Sequence, residues 1–252
     1  GYYLGINFQR LRPYAFDYAY YCLPELQEQE YIDYQKDGIW KVDVKTGNPE
    51  LILSIQQILD YERIDRFDSG KHFVNHIMIS PKGDAFIFIH RYFVGKERYD
   101  RLMYYDFKQL RCLLDDKHQS HYCWLNETTV LGYGEYKGQT GFHKIDTNTF
   151  KVEYCDKLTA IHPKDGHPTV HGDWIVVDCY PNLSRMEVLS AYNIKTDQYI
   201  NLLEVFHDLK HRDYSRCVLH PRFSLDGKRV YFDTIYTGKR MLCYADVSKL
   251  LN

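Results

Sequence analysis

Two patterns of apolar and polar positions alternate along the 252 residues of the chain. In the first pattern, an alternating apolar run ends at an acidic or amide residue, which a turn follows. The end points of these runs are Asp43, Asp106, Asp146, Asn193 and Asp246. A period of two predicts half-buried β-strands, and Asp or Asn suits such a turn because its side chain bonds the backbone two residues on. The pattern therefore predicts five strand–turn units.

The second pattern opens four of these units with a histidine. The segments 76–91, 121–134, 167–181 and 220–233 each consist of the histidine, a short strand, a polar turn and an apolar strand. The glycine-containing turns SPKGD and SLDGK indicate hairpins. The opening histidines lie 45, 46 and 53 residues apart, and each precedes its Asp or Asn by 25 to 30 residues. A nearly constant offset between the histidine and the turn residue, with linkers of variable length and a period near 45–53 residues, is typical of the blades of a β-propeller.

We therefore predict an all-β chain that forms a single β-propeller domain over residues 1–252, with four-stranded antiparallel blades. About five blades are visible, and the first of them lacks the histidine and carries an insertion at residues 23–38. Five blades can close a ring. Because the chain begins at Gly1, a seven-bladed propeller that lacks its N-terminal blades is an alternative. Helix is expected only for a turn or two near residues 54–64.

Charge and cysteine content narrow the class of protein. The 32 Lys and Arg against 34 Asp and Glu give no basic footprint for nucleic acid or for a membrane surface, and neither partner is expected. No apolar stretch approaches the roughly 18 residues of a membrane span. The seven cysteines are odd in number and lack a CxxC pair, which favours reduced thiols in a cytoplasmic protein. A signal peptide removed before Gly1 would instead place the protein in the periplasm.

The opening histidines are candidate ligands. The first strand of a propeller blade lines the central channel, so His76, His121, His167 and His220 should converge at one mouth of it. The alternative is that each histidine caps its own strand. Cys217 and His220 form a Cys-x-x-His pair, and thiolate with imidazole favours zinc. The other possibility is manganese or a similar ion, with water and substrate completing its shell.

A second set of polar residues interrupts apolar segments. Arg91 follows His90 at the end of the apolar strand FIFIHR, Tyr180 ends another such strand, and Arg185 follows it shortly. Arg216 precedes the Cys-x-x-His pair. Each of them alone would fit a solvated edge or a satisfied core group. Together they are typical of an anion-binding site that carries a base.

Several segments together resemble the propeller family of oligogalacturonate lyases and the related ulvan-type polysaccharide lyases. The ordered motifs are NH at 75–76, HR at 90–91, SH at 120–121, DGHP at 165–168, DCYP at 178–181 and RCVLHP at 216–221. The similarity covers roughly residues 70–252, and its turn motifs and DVS ending are shared with TolB-type propellers. The resemblance implies a seven-bladed fold and β-elimination on a uronate-containing saccharide. There a cation neutralises the carboxylate, and a His, Tyr, Lys or Arg removes the neighbouring C5 proton.

The resemblance also implies roles for particular residues. The positions that match its metal ligands are His121, His167, Cys217 and His220. The positions that match the active-site mouth are His76, His90, Tyr180 and Arg216, and Arg91 beside His90 joins them as a catalytic candidate.

The chain also departs from this family. The glutamine that accompanies the histidine ligands in oligogalacturonate lyases is missing, so a cysteine-containing zinc site fits better than a manganese site. The expected partner is an acidic oligo- or polysaccharide. The alternative function is a non-catalytic carbohydrate-binding or scaffolding propeller with a structural metal.

Overall fold

The structure, a computed structural model, describes residues 1–15, 18–20, 22–24, 26–212 and 215–251. These residues form eighteen strands in five antiparallel sheets, four short α-helices and a 3-10 helix, so the all-β prediction is confirmed. The chain divides into two compact units. The first comprises Gly1–Gln119 with Glu135–Gly138, and the second comprises Ser120–Gly134 with Gln139–Asn252. Among the described residues, no helix has the length and apolarity needed to cross a membrane.

The first unit contains two sheets. The first sheet comprises β1 (Tyr2–Ile6), β2 (Gly38–Asp43) and β3 (Pro49–Ser54). The second comprises β4 (Lys71–Ile79), β5 (Phe86–Val94), β6 (Glu97–Tyr105) and β7 (Leu110–Leu114). Fully buried Ile39, Phe86, Phe88 and Met103 pack together as the core of this unit.

The helices of the first unit are one or two turns long. They are α1 (Phe8–Leu11), α2 (Glu28–Ile32), α3 (Ile55–Asp60) and a 3-10 helix (Asp65–Ser69). Helix α3 confirms the turns expected near residues 54–64, whereas α1, α2 and the 3-10 helix lie outside that range, where no helix was expected. Helix α3 begins there because Ser54 and Gln57 form a reciprocal capping box, with bonds of 3.1 and 2.8 Å.

The second unit contains three sheets and α4 (Asp156–Ile161). The third sheet comprises β8 (Gln119–Trp124), β9 (Thr129–Tyr136), β10 (Gln139–Asp146) and β11 (Val152–Tyr154); Gln119 and the end of β9 are counted with the first unit. The fourth comprises β12 (Thr169–His171), β13 (Trp174–Asp178), β14 (Met186–Asn193) and β15 (Tyr199–Phe206). The fifth comprises β16 (Arg222–Phe223), β17 (Arg229–Thr234) and β18 (Met241–Asp246). The fourth and fifth sheets share a core that includes Trp174, Val176, Leu189, Leu219 and Val230.

The turns at the ends of the apolar runs form as the sequence predicts. The side-chain oxygen of each turn residue accepts a backbone N–H two residues on, at 2.9–3.0 Å, in Asp43, Asp106, Asp146, Asn193 and Asp246. The hairpin turns SPKGD and SLDGK also match one another, because Gly83 and Gly227 both adopt a left-handed φ, at 74° and 68°. The repeat is therefore a repeat of local structure.

Two details of the repeat differ from the prediction. Three sheets have four strands, whereas the first and fifth have three among the described residues. Two of the histidines also lie inside a strand and not at its start. His121 is the third residue of β8, and His76 lies in β4, where the pairing with β5 shifts register between Asn75 and Met78. Strand β4 therefore begins five residues ahead of His76, which lies at the bulge.

Candidate functional site

Three of the four opening histidines lie together in the second unit. The ring centre of His167 lies 3.9 Å from that of His121 and 3.8 Å from that of His220. His121 belongs to β8, His167 lies just before β12, and His220 lies just before β16. The first strands of three consecutive sheets therefore bring the three imidazoles to one point, and we call these three residues the histidine cluster.

Each ring of the histidine cluster is held through its Nδ1 atom. The Nδ1 contacts join His121 to Asp165 at 3.0 Å, His167 to Asp178 at 2.9 Å and His220 to the Val218 carbonyl at 3.3 Å. Carboxylate and carbonyl oxygens accept hydrogen bonds, so Nδ1 carries the proton and the lone pair of each neutral ring lies on Nε2. Metal-binding histidines are oriented in this way, with the non-ligating nitrogen anchored to a carboxylate or carbonyl.

Asp178, the last residue of β13, organises the centre of this cluster. Its two oxygens accept the Nδ1–H of His167 and the backbone N–H groups of His167 and His220, at 2.9, 2.6 and 3.0 Å. Its side chain is 1% exposed. Burial alone would raise the pKa of Asp178, but the hydrogen bonds and charge of His167 and the backbone bond of His220 hold it below the usual value. Asp178 therefore stays ionised, and it holds the ring of His167 and the backbone of His220.

Asp165 plays the same part for the remaining ring. Its carboxylate accepts bonds from His121 and from the Ser120 hydroxyl. Burial opposes ionisation, but the bond and charge of His121 and the Ser120 bond hold the pKa of Asp165 below its usual value. Asp165 and Asp178 begin the motifs DGHP and DCYP, but the sequence assigns neither of them a role. For Asp178 the available signal is a charged residue at the end of the apolar run WIVVD.

His220 is suited to act as a neutral ligand. Burial, followed by the charge of the neighbouring His167, lowers the pKa of His220 to about 4, so its ring is uncharged at pH 7. Its backbone has a φ of 43°, and His76, at the equivalent point of the second sheet, has a φ of 52°. Non-glycine residues rarely adopt this left-handed region, and such residues are concentrated at functional sites.

Two of the predicted catalytic residues adjoin the histidine cluster. The ring of Tyr180 lies 5.9 Å from that of His167, edge to face. The guanidinium carbon of Arg216 lies 5.2 Å from the centre of the Tyr180 ring. The structure therefore places a phenol beside the His167 ring and an exposed cation beside that phenol.

Cys217 has a different environment from the three rings. Its side chain is buried, and the Arg240 side chain lies close enough to act on the pKa of its thiol. Burial raises the pKa of the thiol despite the opposing charge of Arg240, and a thiol is a poorer ligand than a thiolate. The assignment of Cys217 as a metal ligand stays a prediction.

The donor set of the histidine cluster fits a divalent metal ion, but its spacing is tight. Two imidazoles on one ion at ~2.1 Å have ring centres roughly 4.5 Å or more apart, whereas these lie 3.8–3.9 Å apart. In agreement with this, no set of three or more His, Cys, Asp or Glu side chains within the described ranges is arranged as around an ion. The rings must therefore move apart slightly to admit one.

The remaining predicted residues lie in the first unit. His90 and Arg91 are consecutive in β5 and so point to opposite faces of the sheet. His90 is completely buried, and this burial strongly lowers its pKa. Its Nε2 lies 3.0 Å from the Nδ1 of His72. Arg91 bonds the buried carboxylate of Asp100 at 2.5 Å. The two residues therefore belong to separate buried clusters, and their catalytic role stays a prediction.

His76 lies at the bulge of β4. Its ring meets the ring of Tyr18 edge to face, with centres 5.0 Å apart. Its position in the first strand of the second sheet matches that of the clustered histidines in their sheets. The catalytic role of His76 also stays a prediction.

Comparisons with known proteins bear on the fold. No protein-family model and no curated protein matches the sequence. Among solved structures, the chain is similar to oligogalacturonate lyase from Vibrio parahaemolyticus. The two are 18% identical with a TM-score of 0.62, and the match covers 100% of this chain and 63% of the lyase.

Two further structures share the fold at lower identity. TolB from Acinetobacter baumannii is 12% identical with a TM-score of 0.55, and the match covers 84% of this chain and 46% of that protein. The β-propeller domain of the Trilobed protease from Pyrococcus furiosus is 14% identical with a TM-score of 0.51, and the match covers 84% of this chain and 64% of that domain. The chain thus spans about half to two thirds of the length of these proteins. At such identities the likeness concerns the fold, and the chain has the β-propeller fold.

Proposed function

We propose that this chain is a metal-dependent lyase that cleaves a uronic-acid-containing oligo- or polysaccharide by β-elimination. The observation that carries the proposal is the histidine cluster, with its anchored Nδ1 atoms, directly beside Tyr180 and Arg216. The fold, shared with an oligogalacturonate lyase over the whole chain, supports the same reaction.

In this proposal the histidine cluster holds the metal ion through its three Nε2 atoms. Three nitrogen ligands suit zinc better than manganese, which prefers oxygen. A divalent ion bound there would neutralise the uronate carboxylate and so acidify the proton on C5. Asp165 and Asp178 keep the rings of His121 and His167 in the ligating tautomer, and the Val218 carbonyl does the same for His220.

Tyr180 and Arg216 supply the remaining chemistry. As a phenolate, whose negative charge the neighbouring Arg216 guanidinium would stabilise, Tyr180 takes the C5 proton while the bond from C4 to the leaving oxygen breaks and a C4–C5 double bond forms. The phenol so formed then gives this proton to the leaving oxygen, which becomes the hydroxyl of the new chain end. The Arg216 guanidinium contacts the Tyr180 ring and is exposed, so it can also bind the substrate carboxylate. General-base catalysis of this kind contributes about 10²–10⁴-fold.

A second candidate function is saccharide binding without turnover. The observation that favours it is the close packing of the three rings, which leaves little room for the ion that the elimination needs.

Turnover separates the two candidates. The protein is incubated with zinc or manganese and with pectic, ulvan-like or glycosaminoglycan oligomers, while the ultraviolet absorbance of unsaturated uronate is followed. We expect unsaturated uronate to form from one of these oligomers. The rate should fall about 100-fold in Tyr180→Phe, and no product should form in His167→Gln. The matched control is His171→Gln, an exposed histidine of β12 outside the cluster, which should keep the wild-type rate. Saccharide binding without any product would replace the lyase by the binding protein.

A further inference from the structure

The second unit contains another polar cluster, at the end of β15, whose centre the proposed reaction does not use. That centre is His207, which directly follows β15 and is 2% exposed. Arg185, in the loop before β14, contacts His207, and Glu187, within β14, lies beside it. Arg216 and His211 lie close enough for their charges to act on its pKa.

Arg185 and His207 are tied together by three hydrogen bonds. The backbone N–H of His207 donates to the carbonyl of Arg185 at 2.8 Å, and Nε of Arg185 donates to the carbonyl of His207 at 3.0 Å. A terminal guanidinium nitrogen lies 3.2 Å from Nδ1 of His207. Arginine only donates, so Nδ1 accepts, and the neutral imidazole must carry its proton on Nε2.

The Nε2–H of His207 is therefore a buried donor. Among the described residues it has no acceptor, and the same holds for the buried Nε2 of His211. An unsatisfied buried donor is costly and uncommon in native proteins. Such a group is expected where a ligand oxygen completes the bond.

The charges around His207 are positive. Burial and then the charges of Arg185, His211 and Arg216 lower the pKa of His207, so its ring stays neutral while two guanidinium groups remain charged. Glu187 lies with one oxygen 3.8 Å from Nδ1 of His207, and burial with the charge of Asp178 raises its pKa to about 8. The Glu187 carboxyl is thus uncharged at pH 7 and does not neutralise the two arginines. Asp208, whose charge acts to raise the pKa of His207, pairs with Lys210 at 3.0 Å.

We propose that His207, Arg185, Arg216 and His211 form an anion-binding subsite for a second carboxylate group of the saccharide, apart from that of the reacting uronate. Arg216 joins the subsite to the reaction site, because it also contacts the Tyr180 ring. The assignment of this carboxylate to a uronate rests on the proposed function, whereas the binding of an anion at His207 does not depend on it.

The test is a titration followed by the imidazole nitrogen and Nε2–H resonances of His207. The probes are inorganic sulfate, galacturonate and trigalacturonate, added to the intact chain. We expect all three to shift the His207 signals, with the trimer binding at least about tenfold more tightly than the monomer because it fills both sites. If the trimer binds no more tightly than sulfate while the His207 signals still shift, the anion subsite is supported and its assignment to a uronate saccharide is wrong. If none of the three probes shifts His207, the subsite is refuted.

Matched variants localise the effect. Arg185→Gln should weaken sulfate and trimer binding about tenfold, the loss expected for one charge-assisted contact. Arg185→Lys, which keeps the charge, should recover part of it. Lys195→Gln removes a cation of the same unit that pairs with Asp173, and it should bind like the wild type. Equal binding by Arg185→Gln and the wild type contradicts the subsite, and the direct His207 signals of the wild type decide the question even if that variant does not fold.

Discussion

Replacing Asp178 by asparagine is expected to weaken zinc binding by about 10–100-fold, the range measured for residues that orient metal ligands. The variant should also lower the free energy of unfolding by about 2–4 kcal/mol, because a buried charge network loses its acceptor. Asparagine keeps the shape of the aspartate side chain, but its NH2 group would face the backbone N–H of His167 or His220. Two donors would then meet where the Asp178 carboxylate accepts a hydrogen bond. Zinc titration and urea unfolding measure the two effects.

Asp173→Asn is the matched control for this prediction. Asp173 lies next to β13 in the same sheet, but it pairs with exposed Lys195 and does not contact the cluster. Its replacement should change the free energy of unfolding by less than about 1 kcal/mol and leave zinc affinity unaltered. Equal zinc affinity in Asp178→Asn and Asp173→Asn would show that Asp178 does not position the ligands.

Glu187 gives the largest expected dependence of stability on pH. Burial and the charge of Asp178 raise its pKa to about 8, from an ordinary value of 4.5. The folded state therefore holds a proton that the unfolded state releases, so the stabilisation is complete below pH 4.5 and is lost as the pH rises towards 8. We expect the wild type to lose about 3 kcal/mol more than Glu187→Gln between pH 5 and pH 9. Urea unfolding across that range measures the difference.

A charge-matched control isolates the buried carboxyl. Glu153 is exposed on β11 of the same unit, and Glu153→Gln should follow the wild-type pH dependence. A Glu187→Gln curve parallel to that of the wild type would mean that Glu187 is ionised in the folded protein at neutral pH. The assignment of an uncharged Glu187 carboxyl beside His207 would then be wrong as well.

The fold could be predicted from the sequence because its determinants are local. Turn residues such as Asp43 and Asn193 bond the backbone two residues on, and Gly83 and Gly227 supply the left-handed φ of matching hairpins. Such features recur at a nearly fixed offset and so are visible without any tertiary information. The strand bounds were less predictable, since the bulge at His76 depends on pairing between β4 and β5.

The candidate site could be predicted only in part. Equivalent positions in three repeats brought His121, His167 and His220 together, which a repeat pattern can reveal. The anchoring carboxylates could not be assigned in this way. Asp165 reaches His121 across 44 residues, and Asp178 reaches the backbone of His220 across 42. The partner of Cys217, Arg240, likewise depends on how distant segments pack.

Metal stoichiometry with ligand identification tests the central claim most directly. The wild-type chain is purified without chelators, loaded with zinc, and examined by elemental analysis and X-ray absorption. The account predicts about one zinc per chain with a shell of imidazole nitrogens near 2.0–2.1 Å, lost in His167→Gln and kept in His171→Gln. A sulfur ligand near 2.3 Å that disappears in Cys217→Ser would add the thiolate to the site. A chain that binds no metal, or that binds it equally well in His167→Gln, would contradict the account.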